Sequence, residues 1–203
     1  MHELQDDPFY ELLRSYPRCV VDILLLEDDA SYRGLQSHRE VLLFAMLKLI
    51  ERDLAQRHAD EVKWGEGSAG DIFPWSLDIG KAQAVSIDPA TLLVVPEILR
   101  VDRNGTVFYD CDWEPNDTNC GGQIPYWYAI LEPPHGADCK PEDLRRLNAA
   151  LFPGGAEPLE AYAWTTDWSN YFDAGHEWWG AACWTVYDRD RDRFAVLLAS
   201  ATD

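Results

Sequence analysis

The clearest candidate for chemistry is an acidic, aromatic stretch, residues 167–180, which we call the acidic loop. Neither Lys nor Arg occurs between Arg146 and Arg189, so no basic neighbour in sequence neutralises its carboxylates. Exposed Trp and Tyr rings beside fixed charges are typical of protein-binding hot spots. The residues that we predict to contact a partner are Trp168, Tyr171, Asp173, Glu177 and Trp178.

A second chemistry uses the same loop. Glycoside hydrolysis needs two carboxylates that flank a sugar, and aromatic rings commonly support the sugar from below. Asp167, Asp173 and Glu177 supply the acids, so a carboxylate-dependent, glycosidase-like hydrolase is the alternative function. A third interpretation is that these aromatic residues only fill the core.

Two other groups of residues resemble metal sites. Asp110, Asp112, Glu114 and Asn116 alternate as calcium ligands do, but Pro115 stands where the sharp turn of such a loop needs Gly. Four residues with zinc-ligand side chains follow one another along the middle of the chain: Cys111, Cys120, His135 and Cys139. They contain no C-x-x-C pair, so we predict no metal site and leave open whether the four converge.

Motifs for common cofactors and nucleophiles are absent from the sequence. It contains no G-x-G-x-x-G, no P-loop and no G-x-S-x-G. His176-Glu177 does not continue to H-E-x-x-H, because Gly180 follows at the second His position. We therefore predict no cofactor and name no catalytic residue.

Net charge limits the kinds of partner. The 203 residues contain 17 Lys and Arg against 36 Asp and Glu, a formal charge of −19. Such a field repels phosphate backbones and anionic membranes, so we predict no nucleic-acid or membrane binding and favour a basic protein partner. The first ten residues lack the pattern of a secretion signal, and the odd count of five cysteines suits a reducing cytoplasm.

The loop is predicted to lie between two β-strands. Beta-branched and aromatic residues dominate 161–164, 182–187 and 193–199, so three strands are expected, the last two as a hairpin. A rigid sheet would then present the acidic loop at one of its ends.

The rest of the chain predicts helices and further hairpins. A capping box, Ser37 to Glu40, starts a long helix over about 37–58, and Pro141 starts a shorter one over about 141–152. Strands are expected at 19–26, at 126–131 and on both sides of Asn104-Gly105. The pattern is α+β, a largely antiparallel sheet of hairpins packed against these helices, in one domain over 1–203.

These expectations combine into one functional hypothesis. The chain is predicted to be a cytoplasmic protein-binding or inhibitor-type domain that recognises a basic macromolecule. In composition it resembles the small acidic immunity proteins that neutralise bacterial toxins, many of which are basic nucleases.

Overall fold

The computed structural model describes residues 1–65, 75–111, 123–136, 138–177 and 179–201. Its main feature is an antiparallel sheet of six strands in the order β1-β2-β8-β7-β6-β3. A separate two-stranded sheet pairs β4 with β5. The strands are β1 His2–Glu3, β2 Val21–Glu27, β3 Ala84–Ile87, β4 Ile98–Val101, β5 Val107–Tyr109, β6 Leu159–Trp164, β7 Ala181–Asp188 and β8 Arg193–Ser200.

Helices cover both faces of the large sheet. They are α1 Phe9–Arg14, α2 Leu35–Trp64, α3 Pro89–Leu92, α4 Tyr126–Leu131, α5 Pro141–Leu151 and α6 Asp173–Glu177. Side chains of α2 pack on one face of the sheet, while those of α1, α4 and α5 pack on the other. The sheet therefore lies between two helical layers, and the prediction of an α+β fold with a long and a shorter helix is confirmed.

Burial on both faces explains the composition of the central strands. Every residue of β7 is buried, and so is every residue of β8 up to Ala199. Alternate residues supply the two apolar layers: Cys183 faces α2, whereas Trp184 faces α4 and α5. Such strands have near-continuous apolar sequences rather than strict alternation.

The predicted strand over 126–131 is wrong, because these residues form helix α4. Its sequence YWYAIL is apolar throughout, and a short apolar run has no periodicity that separates a strand from a buried helix. Pro125 precedes the first turn, and Tyr126 and Ile130 then bury their side chains in the layer that contains α5. Packing on both sides of the segment decides its conformation.

The long helix starts two residues before the predicted cap. Helix α2 begins at Leu35, so Ser37 lies inside the first turn and its Oγ accepts a hydrogen bond from the Arg33 amide at 3.0 Å. Glu40 forms an ion pair with the Arg33 side chain rather than reaching back to Ser37. The predicted helix is confirmed in position, and the predicted capping box is wrong.

The β4–β5 hairpin confirms the strands predicted on both sides of Asn104-Gly105, but its turn is not the type I′ turn that this dipeptide favours. Only Gly105 has a positive φ, +87°, whereas a type I′ turn needs positive φ at both central residues. The Asp102 carbonyl accepts the Gly105 amide at 3.1 Å, and the Asp102 carboxylate accepts the Asn104 and Thr106 amides. These bonds make a type I turn that ends in a left-handed glycine.

Among the described residues, no helix combines the length and apolar content needed to cross a bilayer.

Candidate functional site

The acidic loop connects the end of β6 to the start of β7, as the strand pattern predicts. Within it, a 3₁₀ turn over Asn170–Phe172 runs directly into α6. Ser169 caps this turn, because its Oγ accepts the Tyr171 amide at 3.2 Å. The loop is therefore a folded connection with fixed side-chain directions.

Trp168 holds the loop on the sheet. Its side chain is buried in the layer below α2 and contacts Phe172 edge-to-face at 5.4 Å between ring centroids. Its indole N–H donates to the Thr165 carbonyl, and its own carbonyl accepts the Asp78 amide at 2.8 Å. Trp168 thus anchors the loop to the core and to the segment before β3.

Tyr171 also faces inward. The residue is 9% exposed, and its hydroxyl donates to Oδ2 of Asp22 on β2 at 2.6 Å. Burial raises the pKa of this hydroxyl well above its ordinary value, and the Asp22 carboxylate adds to the shift. The expectation that Trp168 and Tyr171 are exposed anchors is wrong, because both rings fill the core, while Trp178 lies outside the described residues.

The carboxylates of the loop point the other way. Asp167, Asp173 and Glu177 are all exposed. Asp173 and Glu177 are the first and last residues of α6, four positions apart, so their side chains lie on one side of its turn. Within the described part of the chain, none of the three carboxylates forms an ion pair.

Close backbone packing fixes α6 against the sheet. The Gly175 amide donates to Oγ of Ser200 on β8 at 3.2 Å, and its carbonyl accepts the Gly180 amide at 2.6 Å. A Cβ atom at position 175 would lie 2.3 Å from the Gly180 carbonyl oxygen. Only glycine allows this approach, which holds Asp173 and Glu177 in place on the surface.

The basic residues of the molecule are largely occupied elsewhere. Among the described residues, nine of the 17 Lys and Arg side chains form ion pairs with carboxylates outside the acidic loop. Lys81, in the segment before β3 that contacts Trp168, pairs with Asp78 at 3.1 Å. The acidic loop consequently keeps its negative charge.

Two of the aromatic rings in the sugar-binding alternative are not available to a sugar. Trp168 and Tyr171 are buried, so neither ring can stack beneath a sugar in this conformation. The carboxylates of Asp167, Asp173 and Glu177 are exposed.

The metal-like motifs fall largely outside the described residues. Cys120 and most of the calcium-like stretch belong to residues 112–122, which the structure does not describe. Within the described ranges, no three His, Cys, Asp or Glu side chains are grouped as metal ligands would be. Cys139 lies in one core layer, and Cys111 and Cys19 pack against the same layer; the sequence does not predict Cys19 as a neighbour.

A buried polar network below the start of α2 was missed from the sequence. His38 is fully buried between Tyr162 and Phe194, and its Nδ1 lies 2.8 Å from Oγ1 of Thr185 on β7. Its Nε2 lies 3.1 Å from the Tyr32 hydroxyl. The indole N–H of Trp164 donates to the same Thr185 oxygen at 2.8 Å.

The donors in this network set an order. The Trp164 indole can only donate, so Thr185 Oγ1 accepts its hydrogen bond. The Thr185 hydroxyl can then donate its own hydrogen to Nδ1 of His38. The ring proton of His38 then lies on Nε2, beside Tyr32. Burial lowers the pKa of His38 to about 4, so the ring is neutral at pH 7.

The outer end of the network reaches a carboxylate. Glu160 accepts a hydrogen bond from the Tyr162 hydroxyl at 3.0 Å. Burial, followed by Glu160, raises the pKa of the Tyr32 hydroxyl far above its ordinary value. Neutral groups joined by hydrogen bonds are suited to holding the helix on the sheet rather than to acid–base chemistry near pH 7. A His inside a predicted amphipathic helix was the only sequence signal for it.

Comparison with models of known families, with curated proteins and with solved structures finds no match to this chain.

Proposed function

We propose that the chain is a protein-binding domain of the inhibitor type, which recognises a basic protein through the exposed carboxylates of the acidic loop. The observation that carries the proposal is the pair Asp173 and Glu177 on α6, which is exposed and unpaired among the described residues. Two like charges four residues apart on a helix repel each other by about 0.2–0.5 kcal/mol. A partner's Arg or Lys removes that repulsion when it binds between them.

The position of Glu177 adds to this argument. A negative charge at a helix C-terminus opposes the helix dipole, and each such charge costs about 0.3–1 kcal/mol at an exposed site. Glu177 is the last residue of α6, so its charge contributes nothing favourable to its own helix. A bound cation supplies the compensation that the chain itself lacks.

The overall charge of −19 supports fast capture of a basic partner. Complementary fields raise association rates and are screened over about 8–10 Å at physiological salt. An immunity-type protein that neutralises a basic toxin has this partner chemistry. The rigid attachment of α6 to β8 through Gly175 and Ser200 limits the entropy that the surface loses on binding.

The double variant Asp173→Asn/Glu177→Gln tests the proposal. It removes two charges but no ion pair among the described residues, so we expect the free energy of unfolding to change by no more than about 0.5 kcal/mol. We expect the Kd for the basic partner to rise at least tenfold, because losing a desolvated interface charge costs about 2–5 kcal/mol. The partner is isolated on immobilised wild-type protein at low salt, purified, and measured by surface plasmon resonance.

The matched control is Glu157→Gln/Asp190→Asn. Both carboxylates are exposed, and both lie at the opposite end of the sheet, before β6 and in the β7–β8 turn. The control also removes two negative charges, so it reproduces any general loss of steering. Equal weakening by the two double variants would contradict the assignment to the acidic loop, and an association rate that does not change with salt would contradict electrostatic capture.

A further inference from the structure

Two segments on the face opposite α2 are held together by hydrogen bonds. The Arg18 amide donates to Oδ2 of Asp138 at 3.2 Å, and the Arg18 guanidinium lies 3.6 Å from the other carboxylate oxygen. The Tyr16 hydroxyl donates to Oδ1 of Asp143 at 2.8 Å. The segment that leads into β2 is thereby fixed against the segment that leads into α5.

A cysteine follows each member of the Arg18–Asp138 pair. Cys19 and Cys139 belong to one core layer, Cys139 buried and Cys19 half-buried, and both are free thiols. Burial raises the pKa of Cys139 to about 12, and the next contribution comes from Cys19. The two thiols therefore lie in one core layer, each next to a member of the Arg18–Asp138 pair that ties the two backbone segments together.

The same region contains a hydroxyl without a partner. Tyr126 on α4 is 1% exposed, and its oxygen has no hydrogen-bond partner within the described residues. Burial raises the pKa of this hydroxyl, and Cys19 and Cys139 are the two groups that add to the shift.

We propose that Cys19 and Cys139 form a latent redox pair, which a small-molecule disulfide such as oxidised glutathione closes into a disulfide bond. The Cys19 thiolate, the more accessible of the two, attacks one sulfur of the reagent and releases one glutathione thiolate. The Cys139 thiolate then attacks the Cys19 sulfur and releases the second glutathione. The two cysteines lose two protons and two electrons, and the reagent is reduced to two thiols.

Closure of the pair depends steeply on pH. Burial raises the pKa of Cys19 to about 11, so about one molecule in 10⁴ has a Cys19 thiolate at pH 7. Below that pKa, the thiolate fraction rises tenfold for each pH unit. The rate of closure at a fixed reagent concentration should therefore rise about a hundredfold between pH 7 and pH 9.

The test treats the whole chain with oxidised glutathione at pH 8.5 and measures its mass under denaturing, non-reducing conditions. We expect a loss of two hydrogens and a proteolytic peptide that joins Cys19 to Cys139. Closing so long a loop should raise the melting temperature by about 10 °C, reversibly with reductant. Cys19→Ser and Cys139→Ser should abolish the linked peptide, whereas Cys111→Ser should leave it.

Two outcomes would overturn the proposal: no loss of hydrogen from a chain that remains folded, or a linked peptide that joins any other pair. If Cys139→Ser does not fold, the peptide map of the wild type still decides. The variant Tyr126→Phe tests whether the Tyr126 hydroxyl is needed for closure of the disulfide. It removes an unpaired buried group, so the variant should fold at least as stably and should still give the peptide that joins Cys19 to Cys139.

Discussion

The acidic loop and the network around His38 both contain polar side chains, but those of the network are buried and the carboxylates of the loop are exposed. In the buried network, His38, Thr185 and Trp164 satisfy one another through hydrogen bonds of 2.8 Å. On the acidic loop, Asp173 and Glu177 are exposed and form no ion pair with any described residue. The network around His38 uses its polar groups for bonds within the protein, whereas the Asp173 and Glu177 carboxylates are free to bind a different molecule.

The buried network contributes to the stability of the fold, whereas the exposed carboxylates are available to bind a partner. An unmet donor or acceptor inside the protein costs about 1–3 kcal/mol, whereas an exposed carboxylate is already hydrated and costs little. Substitution should therefore lower the free energy of unfolding at the first region and leave it nearly unchanged at the second. The following experiments break or sharpen that contrast.

The largest effect is expected from Thr185→Val. Valine has almost the same shape but leaves the Trp164 N–H and the His38 Nδ1 without a partner in a fully buried place. We expect a loss of about 3 kcal/mol in the free energy of unfolding, measured by urea denaturation. Thr185→Ser keeps the hydroxyl and should lose only about 1 kcal/mol for the missing methyl group. Equal stability of the valine variant and the wild type would show that the network contributes nothing.

The next effect is a pH dependence that His38 introduces. Its pKa is lowered from 6.5 to about 4 in the folded state, so the unfolded chain binds a proton at pH values where the folded one does not. The stability that His38 contributes is complete above pH 6.5 and falls by about 3 kcal/mol as the pH drops to 4. In the His38→Gln variant, the free energy of unfolding should depend less steeply on pH between 4 and 6.5, whatever the absolute stability of the variant. Parallel curves of unfolding free energy against pH would contradict the assignment.

A smaller effect is expected from Tyr171→Phe, which tests the boundary between the two regions. Tyr171 belongs to the acidic loop by sequence but donates to Asp22 from inside the core. We expect a loss of about 1–2 kcal/mol in thermal or urea unfolding, together with an unchanged Kd for the basic partner. A Kd that rose without a loss of stability would place Tyr171 on the binding surface after all.

Sequence patterns predicted the C-terminal strands because their burial on both faces requires continuous apolar and beta-branched residues. They also predicted the long helix and the helix that begins at Pro141, where periodicity and a fixed φ act locally. They failed for Tyr126–Leu131, whose uniform apolar run fits either structure. Local signals decide where elements begin, but packing decides the type of an ambiguous one.

The acidic loop was predicted only in part, for a physical reason. The absence of Lys and Arg around Asp173 and Glu177 is visible in the sequence. The direction of each aromatic ring is not visible, because it depends on tertiary packing: Tyr171 turns inward to donate to Asp22 on β2, and Trp168 is buried in the core layer that contains α2. The pairing of His38 with Thr185 spans 147 positions and leaves no local pattern at all.

The order of the strands has a consequence for how the protein is made. Strand β8 lies between β2 and β7, although it follows every other strand along the chain. Val21 on β2 pairs with Ala199 on β8. Strand β2 can therefore join β7 through β8 only after residue 199 has been synthesised. Long-range pairings of this kind fold slowly. Until β8 emerges, the edges of β2 and β7 that it will cover remain unpaired, and an unpaired edge of an apolar strand is prone to pair with other chains.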